Sequence, residues 1–280
     1  MGVTRFPGAT TRQVDFTSSG TWTCPGGVYS AKFVVVGAGG AGGGTVQLVT
    51  EYASGGGGGG GAYKEIDVAV TPGTSYTITV GAKGSGASGN VGGNGGFSEV
   101  LNGATSLIKC FGGLGGAAIT ATGATETKPT VTSTIGGGGG GANGGATDRY
   151  AGGGGGANPA ITGNGTAWQI GVSGGEGTPG RSAANASVSI TAAVGAMGFN
   201  GYGAGGGGGG NTAAIIYTSA QGGSVFAGNG AVRSTAGVTT GGAAIANTGC
   251  GGGGSTAYLN ATTTTGGNGS DGLVRVVYFA

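Results

Sequence analysis

The sequence predicts an all-β protein in which extended glycine runs brace a framework of strands. Three observations predict it. Glycine fills 79 of 280 positions while charged residues make up only 7%, unlike ordinary disordered chains, which are polar and charge-rich. Several segments alternate apolar and polar residues with the period of two that a strand requires, and none shows helical periodicity. The glycines come in runs, and collagen is excluded because proline occurs only 6 times and no Gly-X-Y period holds.

Along the chain, residues 1–15 form a polar N-terminal arm in this reading, and residues 16–280 a single glycine-rich β domain. Its β-framework lies mainly in 16–117 and 270–280, with glycine runs and loops over 118–269. Val28–Val36 (VYSAKFVVV) is β-branched and aromatic, as a core strand should be. Lys64–Val70 alternates Lys64, Ile66, Val68 and Val70 against Glu65, Asp67 and Ala69. Beyond the turn Thr71-Pro72-Gly73-Thr74, Tyr76, Ile78 and Val80 alternate with hydroxyl residues, which predicts a hairpin across that turn. Shorter strands are expected at Thr45–Thr50, Phe97–Leu101 and Ser106–Phe111. Leu273–Phe279 (LVRVVYF) closes the chain as a strong strand.

Glycine runs interrupt this framework at 37–44, 55–61, 136–141, 152–156, 205–210 and 251–254. Each glycine ordered into regular structure costs about 0.5–1 kcal/mol relative to alanine, so the runs must gain something else. Without a Cβ, extended left-handed helices of three residues per turn can pack side by side and hydrogen-bond main chain to main chain. Glycine pairs three apart, as in Gly92-Gly93-Asn94-Gly95-Gly96, match that turn. The runs are expected to be struts.

Composition narrows the function. The net charge is +2, with 11 basic residues scattered from Arg5 to Arg275, so no basic cluster points to nucleic acid. Cys24, Cys110 and Cys250 are far apart and lack CxxC spacing, which predicts buried thiols in a protein assembled in a reducing cytoplasm. No signal peptide, membrane span or myristoylation pattern is visible. With no histidine and nine dispersed carboxylates, neither a His-based triad nor a glycosidase pair suggests itself. The expectation is a protein that is not an enzyme and needs no cofactor.

Two motifs imitate known sites. Gly37-Ala-Gly39-Gly-Ala-Gly42 follows a strand as a dinucleotide fingerprint would, yet it leads into strand-like TVQLVT rather than the helix that holds a pyrophosphate. Gly266-Gly-Asn-Gly-Ser-Asp271-Gly-Leu273 matches one copy of a calcium β-roll repeat, which needs stacked neighbours to complete coordination. No metal site is expected. The sharper candidates are aromatics in the segments between glycine runs. They are Tyr52, Tyr150 (beside Asp148 and Arg149), Trp168, Tyr217 and Tyr258, suited to sugar rings or protein loops. The competing reading is that these rings pack over the glycine bundle or between subunits.

Phe16-Thr-Ser-Ser-Gly-Thr-Trp22-Thr-Cys24-Pro-Gly-Gly-Val28, then FVVVGAGGAGGG, GGGGGGGAYKEIDVAVTPGTSYTITVGAKG, GGNGGFSEV and DGLVRVVYF, resembles the glycine-rich domains of bacteriophage tail fibres and tail-tip adhesins. The likeness covers about 16–117 and 270–279, and Cys24 stands where that pattern usually has an aliphatic residue. It implies a small β-sandwich continued by a bundle of polyglycine-II-type helices. It also implies a virion location and loops that bind a host-surface glycan or outer-membrane protein. Homotrimers are common in such assemblies. The family's binding residues are not motif-encoded. The alternative expectation is a capsid decoration or head-fibre protein whose arm, with Arg5, Phe6 and Arg12, docks on other virion proteins.

Overall fold

The computed structural model describes residues 10–45, 53–118, 149–150, 195, 198, 201–208, 210–211, 222, 224–231, 238–257 and 263–280. These form strands β1 (Thr11–Phe16), β2 (Gly20–Thr23), β3 (Ser30–Val36), β4 (Ala53–Ser54), β5 (Tyr63–Ala69), β6 (Ser75–Thr79) and β7 (Ser98–Asn102). They continue with β8 (Thr105–Cys110), β9 (Arg149–Tyr150), β10 (Gly210–Asn211), β11 (Val238–Thr239), β12 (Thr256–Ala257) and β13 (Leu273–Phe279). No helix occurs among the described residues.

Two four-stranded sheets dominate, in the orders β1-β13-β3-β5 and β2-β6-β7-β8. Every neighbouring pair in them is antiparallel. They face each other across one core. Ala31, Phe33 and Val35 of β3 and Val274 and Val276 of β13 meet Trp22 of β2, Tyr76 and Ile78 of β6, Val100 of β7 and Ile108 of β8. Trp22 is its centre, with ring centroids 5.5 Å from Tyr76, 5.6 Å from Tyr278 and 5.7 Å from Phe33. The unbroken apolar run of β3 is explained by cover on both faces. Val34 and Val36 point away from the core and are buried with Tyr63 and Leu273, against which Tyr202 packs.

The hairpin expected around Pro72-Gly73 does not form. The turn exists, with the Thr74 N–H donating to the Thr71 carbonyl at 3.0 Å and Gly73 at φ 79°, but β5 pairs with β3 while β6 pairs with β2 and β7. Alternation records which side of a strand faces the core, not which strand lies beside it. Ile66 and Val68 approach the core from one sheet, Tyr76 and Ile78 from the other, so the turn carries the chain between sheets. The polar arm is described only from Thr10, and Thr11–Phe16 already pair with β13 as an edge strand. Of the strand expected at Thr45–Thr50 only Thr45 is described, bridging to Thr264.

Beyond the sheets the chain continues as a close-packed lattice of extended main chain. The segment 37–45 shows its rule. Gly37, Gly40 and Gly43 donate N–H groups to the carbonyls of Ala62, Gly59 and Gly56. Ala38, Ala41 and Gly44 donate to Gly96, Gly93 and Asn90, and Gly39, Gly42 and Thr45 to Ser270, Gly267 and Thr264. Each neighbour is met at every third residue, so the main chain presents three donor directions in rotation. Carbonyls of the same segment accept from Gly113 and Gly116, from Gly252 and Ser255, and from Gly84. This segment is therefore enclosed by six others. The segment 249–255 is enclosed likewise, by 40–43, 55–61, 204–207, 228–231, 242 and 267–270.

Candidate functional surfaces

Close approach of main chains is what demands glycine here. A Cβ on Gly43 would lie 1.9 Å from the Ala117 carbonyl oxygen, and one on Gly39 1.9 Å from that of Cys250. Ala38 and Ala41 nevertheless sit fully buried in the same run, so the lattice has slots for a methyl at fixed positions. Polar side chains complete its rim. Asn268 Oδ1 and Asp271 Oδ1 accept the N–H groups of Gly86 and Lys83 at 2.8 and 2.9 Å, and Asn94 Oδ1 accepts that of Gly115 at 2.9 Å. Each side-chain oxygen acts as a substitute main-chain carbonyl.

Both imitative motifs are accounted for by this geometry. The six N–H groups of Gly37–Gly42 donate to carbonyls of the chain itself at 2.8–3.0 Å. In the second motif the Asp271 carboxylate is engaged by Lys83, whose Nζ lies 3.7 Å from Oδ2. No cluster of His, Cys, Asp and Glu suited to a metal occurs among the described residues. The described carboxylates Asp15, Glu65 and Glu99 lie beside Arg275, Lys32 and Lys109. Cys24, Cys110 and Cys250 are free and buried, and desolvation pushes the Cys110 thiol up to about 12.

The lattice has two ends. At the first, β3, β5 and β13 run directly into segments 37–45, 55–62 and 264–272, and Gly37 pairs with Ala62. At the second, Thr45 bridges Thr264. A buried hydroxyl chain ties that end together. Thr45 Oγ1 and Thr264 Oγ1 lie 2.6 Å apart, Thr264 Oγ1 donates to Ser255 Oγ at 2.7 Å, and Ser255 Oγ donates to the Gly43 carbonyl at 3.1 Å. The small sheets β11-β12-β4 and β10-β9 also lie there.

A family model of a glycine-rich domain matches residues 14–279, a range that includes both large sheets and the described lattice segments. The chain belongs to this glycine-rich domain family. No curated protein matches it.

In this glycine-rich domain Thr45 bridges Thr264 and Ala53 pairs with Ala257 at the far lattice end. Of the sequence candidates, Tyr52, Asp148, Trp168, Tyr217 and Tyr258 lie outside the described residues, as do Arg5 and Phe6. Arg149 and Tyr150 form β9, paired with Asn211 and Gly210. Arg12 is exposed on β1 opposite Tyr278. It sits at the opposite pole, where Thr10 and Ala280 exchange main-chain hydrogen bonds of 2.8 and 3.1 Å.

One cluster escaped the sequence reading. On the outer face of the second sheet, Lys109 Nζ lies 3.7 Å from the Phe97 ring centroid, 5.6 Å from that of Phe111 and 3.8 Å from Glu99 Oε2. The signal was present: both phenylalanines are out of phase with the inward residues Ser98, Val100, Ile108 and Cys110, so alternation places large apolar rings outside.

Proposed function

We propose that this glycine-rich domain is a surface protein of a bacteriophage virion, a tail-fibre or tail-tip adhesin that binds a host-surface glycan or outer-membrane protein and performs no catalysis. The observation that carries this reading is the enclosure of segment 37–45, whose main chain is hydrogen-bonded to six neighbouring segments and so forms a stiff support.

The lattice segments are polyglycine-II-type helices in this reading, supported by the recurrence of each hydrogen-bonded neighbour at every third residue. Such a support holds recognition segments in place before contact, which lowers the entropy lost on binding, and several copies per particle add avidity. A homotrimer fits a fibre tip.

The test is competition. Purified protein added to host cells ahead of phage should reduce adsorption, and replacing Tyr52, Tyr150, Tyr217 and Tyr258 with serine should remove the competition. Absence of competition, with the protein located on the capsid by immunogold labelling, would establish the capsid-decoration alternative instead.

A further inference from the structure

Two main-chain donors of the lattice have no acceptor among the described residues. In segment 55–62 the donor directions rotate as they do in 37–45. Gly55, Gly58 and Gly61 donate to the carbonyls of Ser255, Gly252 and Gly249, while Gly56, Gly59 and Ala62 donate to those of Ala117, Leu114 and Phe111. The third direction belongs to Gly57 and Gly60. Both are buried, and neither N–H meets a described partner. A buried N–H left unpaired costs free energy comparable to a lost hydrogen bond. This edge therefore calls for one more extended chain with an acceptor at every third residue.

The place of that chain follows from the rotation. With three residues per turn the donor directions lie about 120° apart, so the third points away from both 111–118 and 249–255. Segment 203–208 borders that side. Gly206 donates to the Gly58 carbonyl, and a Cβ on Gly57 or Gly60 would meet the carbonyl oxygen of Gly206 or Gly203. The open position thus lies against 55–61 and beside 203–208.

Strand β9 leads into it. The same contacts show that 203–208 runs antiparallel to 55–61, and it continues into β10. Strand β9 is antiparallel to β10 and also lies beside β4, from which 55–61 begins. At Tyr150 the chain is therefore heading back into the lattice, parallel to 55–61. The next residues in the sequence are Ala151 and five glycines, 152–156, which lie outside the described residues. Parallel neighbours are already part of this lattice, since Gly113 and Gly116 donate to Ala38 and Ala41. At about 3.1 Å per residue a five-residue run spans about 15 Å, against about 9 Å from Gly57 to Gly60.

We propose that Gly152–Gly156 docks on this edge as a further lattice segment, its carbonyls accepting the N–H groups of Gly57 and Gly60. The run at 136–141 has no such direct path, because residues 142–148 separate it from β9. Docking ties down Arg149 and Tyr150 from both sides, by β10 and by the run that follows them. The inference does not depend on the adhesin reading.

The test is amide exchange of the full chain, resolved by residue with NMR. Gly57 and Gly60 should exchange as slowly as Gly58 and Gly59. The double variant Gly153→Val, Gly154→Val should lose protection at Gly57 and Gly60 and keep it at Gly58 and Gly59, whereas Gly138→Val with Gly139→Val should leave all four unchanged. In the unmodified protein, couplings through the hydrogen bond should connect the Gly57 and Gly60 nitrogens to carbonyl carbons within 152–156, a readout that needs no variant to fold. Fast exchange at Gly57 and Gly60 in the unmodified chain overturns the proposal. So does protection that survives the 153/154 variant, or that is lost instead in the 138/139 variant. Protection that falls on dilution would mark the edge as a contact between copies and overturn it too.

Discussion

In the two-sheet half of the molecule glycine serves turns, whereas in the lattice it lets main chains touch. Gly73 sits at φ 79° with open space where a Cβ would be, and Gly43 has ordinary torsions with a carbonyl oxygen 1.9 Å from that point. The same contrast governs specificity. Between the sheets, Trp22, Phe33 and Tyr76 choose their neighbours by shape, so the pairing is written in side chains. In the lattice, one N–H looks like any other. The register there depends on sparse markers: methyl slots at Ala38 and Ala41, the Thr45-Thr264-Ser255 hydroxyl chain, and the oxygens of Asn94, Asn268 and Asp271.

The largest effect should come from the core. Trp22→Ala removes the ring on which three aromatics converge and should cost about 3–5 kcal/mol, measured by urea unfolding. Because β3 and β13 continue into 37–45 and 264–272 without linkers, amide exchange in both regions should accelerate together. Protection retained only in the lattice would show the two regions to be separate cooperative units. Next comes Gly43→Ala, which presses a methyl into main chain held on several sides and should cost about 3 kcal/mol. Gly73→Ala meets only torsional strain, about 1–2 kcal/mol. If the two glycine variants melt alike, the distinction between turn glycine and contact glycine fails.

Ala41→Gly sharpens the comparison from the other side. It empties a methyl slot and frees the unfolded chain, so stability should fall by about 1 kcal/mol in thermal melts, although glycine is the commoner residue around it. The smallest effect belongs to the surface of sheet one. Hydrogen bonds from Arg275, at 2.8 and 2.9 Å, hold the Asp15 carboxyl below its ordinary 3.8. The stabilisation is therefore present above about pH 4 and lost as pH falls through the lowered folded value. Both groups are largely solvated, so Asp15→Asn should cost less than about 1 kcal/mol at neutral pH. The gap from wild type should close in melts run at acid pH.

Strands whose side chains alternate or are uniformly apolar were legible in the sequence: Leu273–Phe279 was recovered whole, and β3, β7 and β8 within two residues at each end. The edge strand β1 was not, because Thr11, Arg12, Gln13 and Asp15 face solvent and only Val14 and Phe16 carry an apolar signal. The partner of β6 was hidden for a different reason, since period two cannot tell a hairpin from a crossover between sheets. Close packing of the glycine runs at 37–44, 55–61, 205–208 and 251–254 was legible from composition, but not which run lies beside which, and the runs at 136–141 and 152–156 lie outside the described residues. Of the candidate surfaces, the aromatic-rich segments could be named, and of their candidate residues only Arg149 and Tyr150 are among the described ones. The Phe97, Lys109 and Phe111 cluster needed the β7-β8 register before its members could be brought together.

The six-fold enclosure of segment 37–45 has a mechanical consequence. A β-sheet is stiff along its strands and across its hydrogen bonds but bends readily out of plane, because bonding runs in one layer. A chain bonded to neighbours all around its axis has no soft plane. Force applied sideways at the far end would meet hydrogen bonds in every direction before reaching the sheets. The lattice should therefore behave as a short rod of nearly uniform bending stiffness, passing a pull or a torque at one pole to the other with little loss.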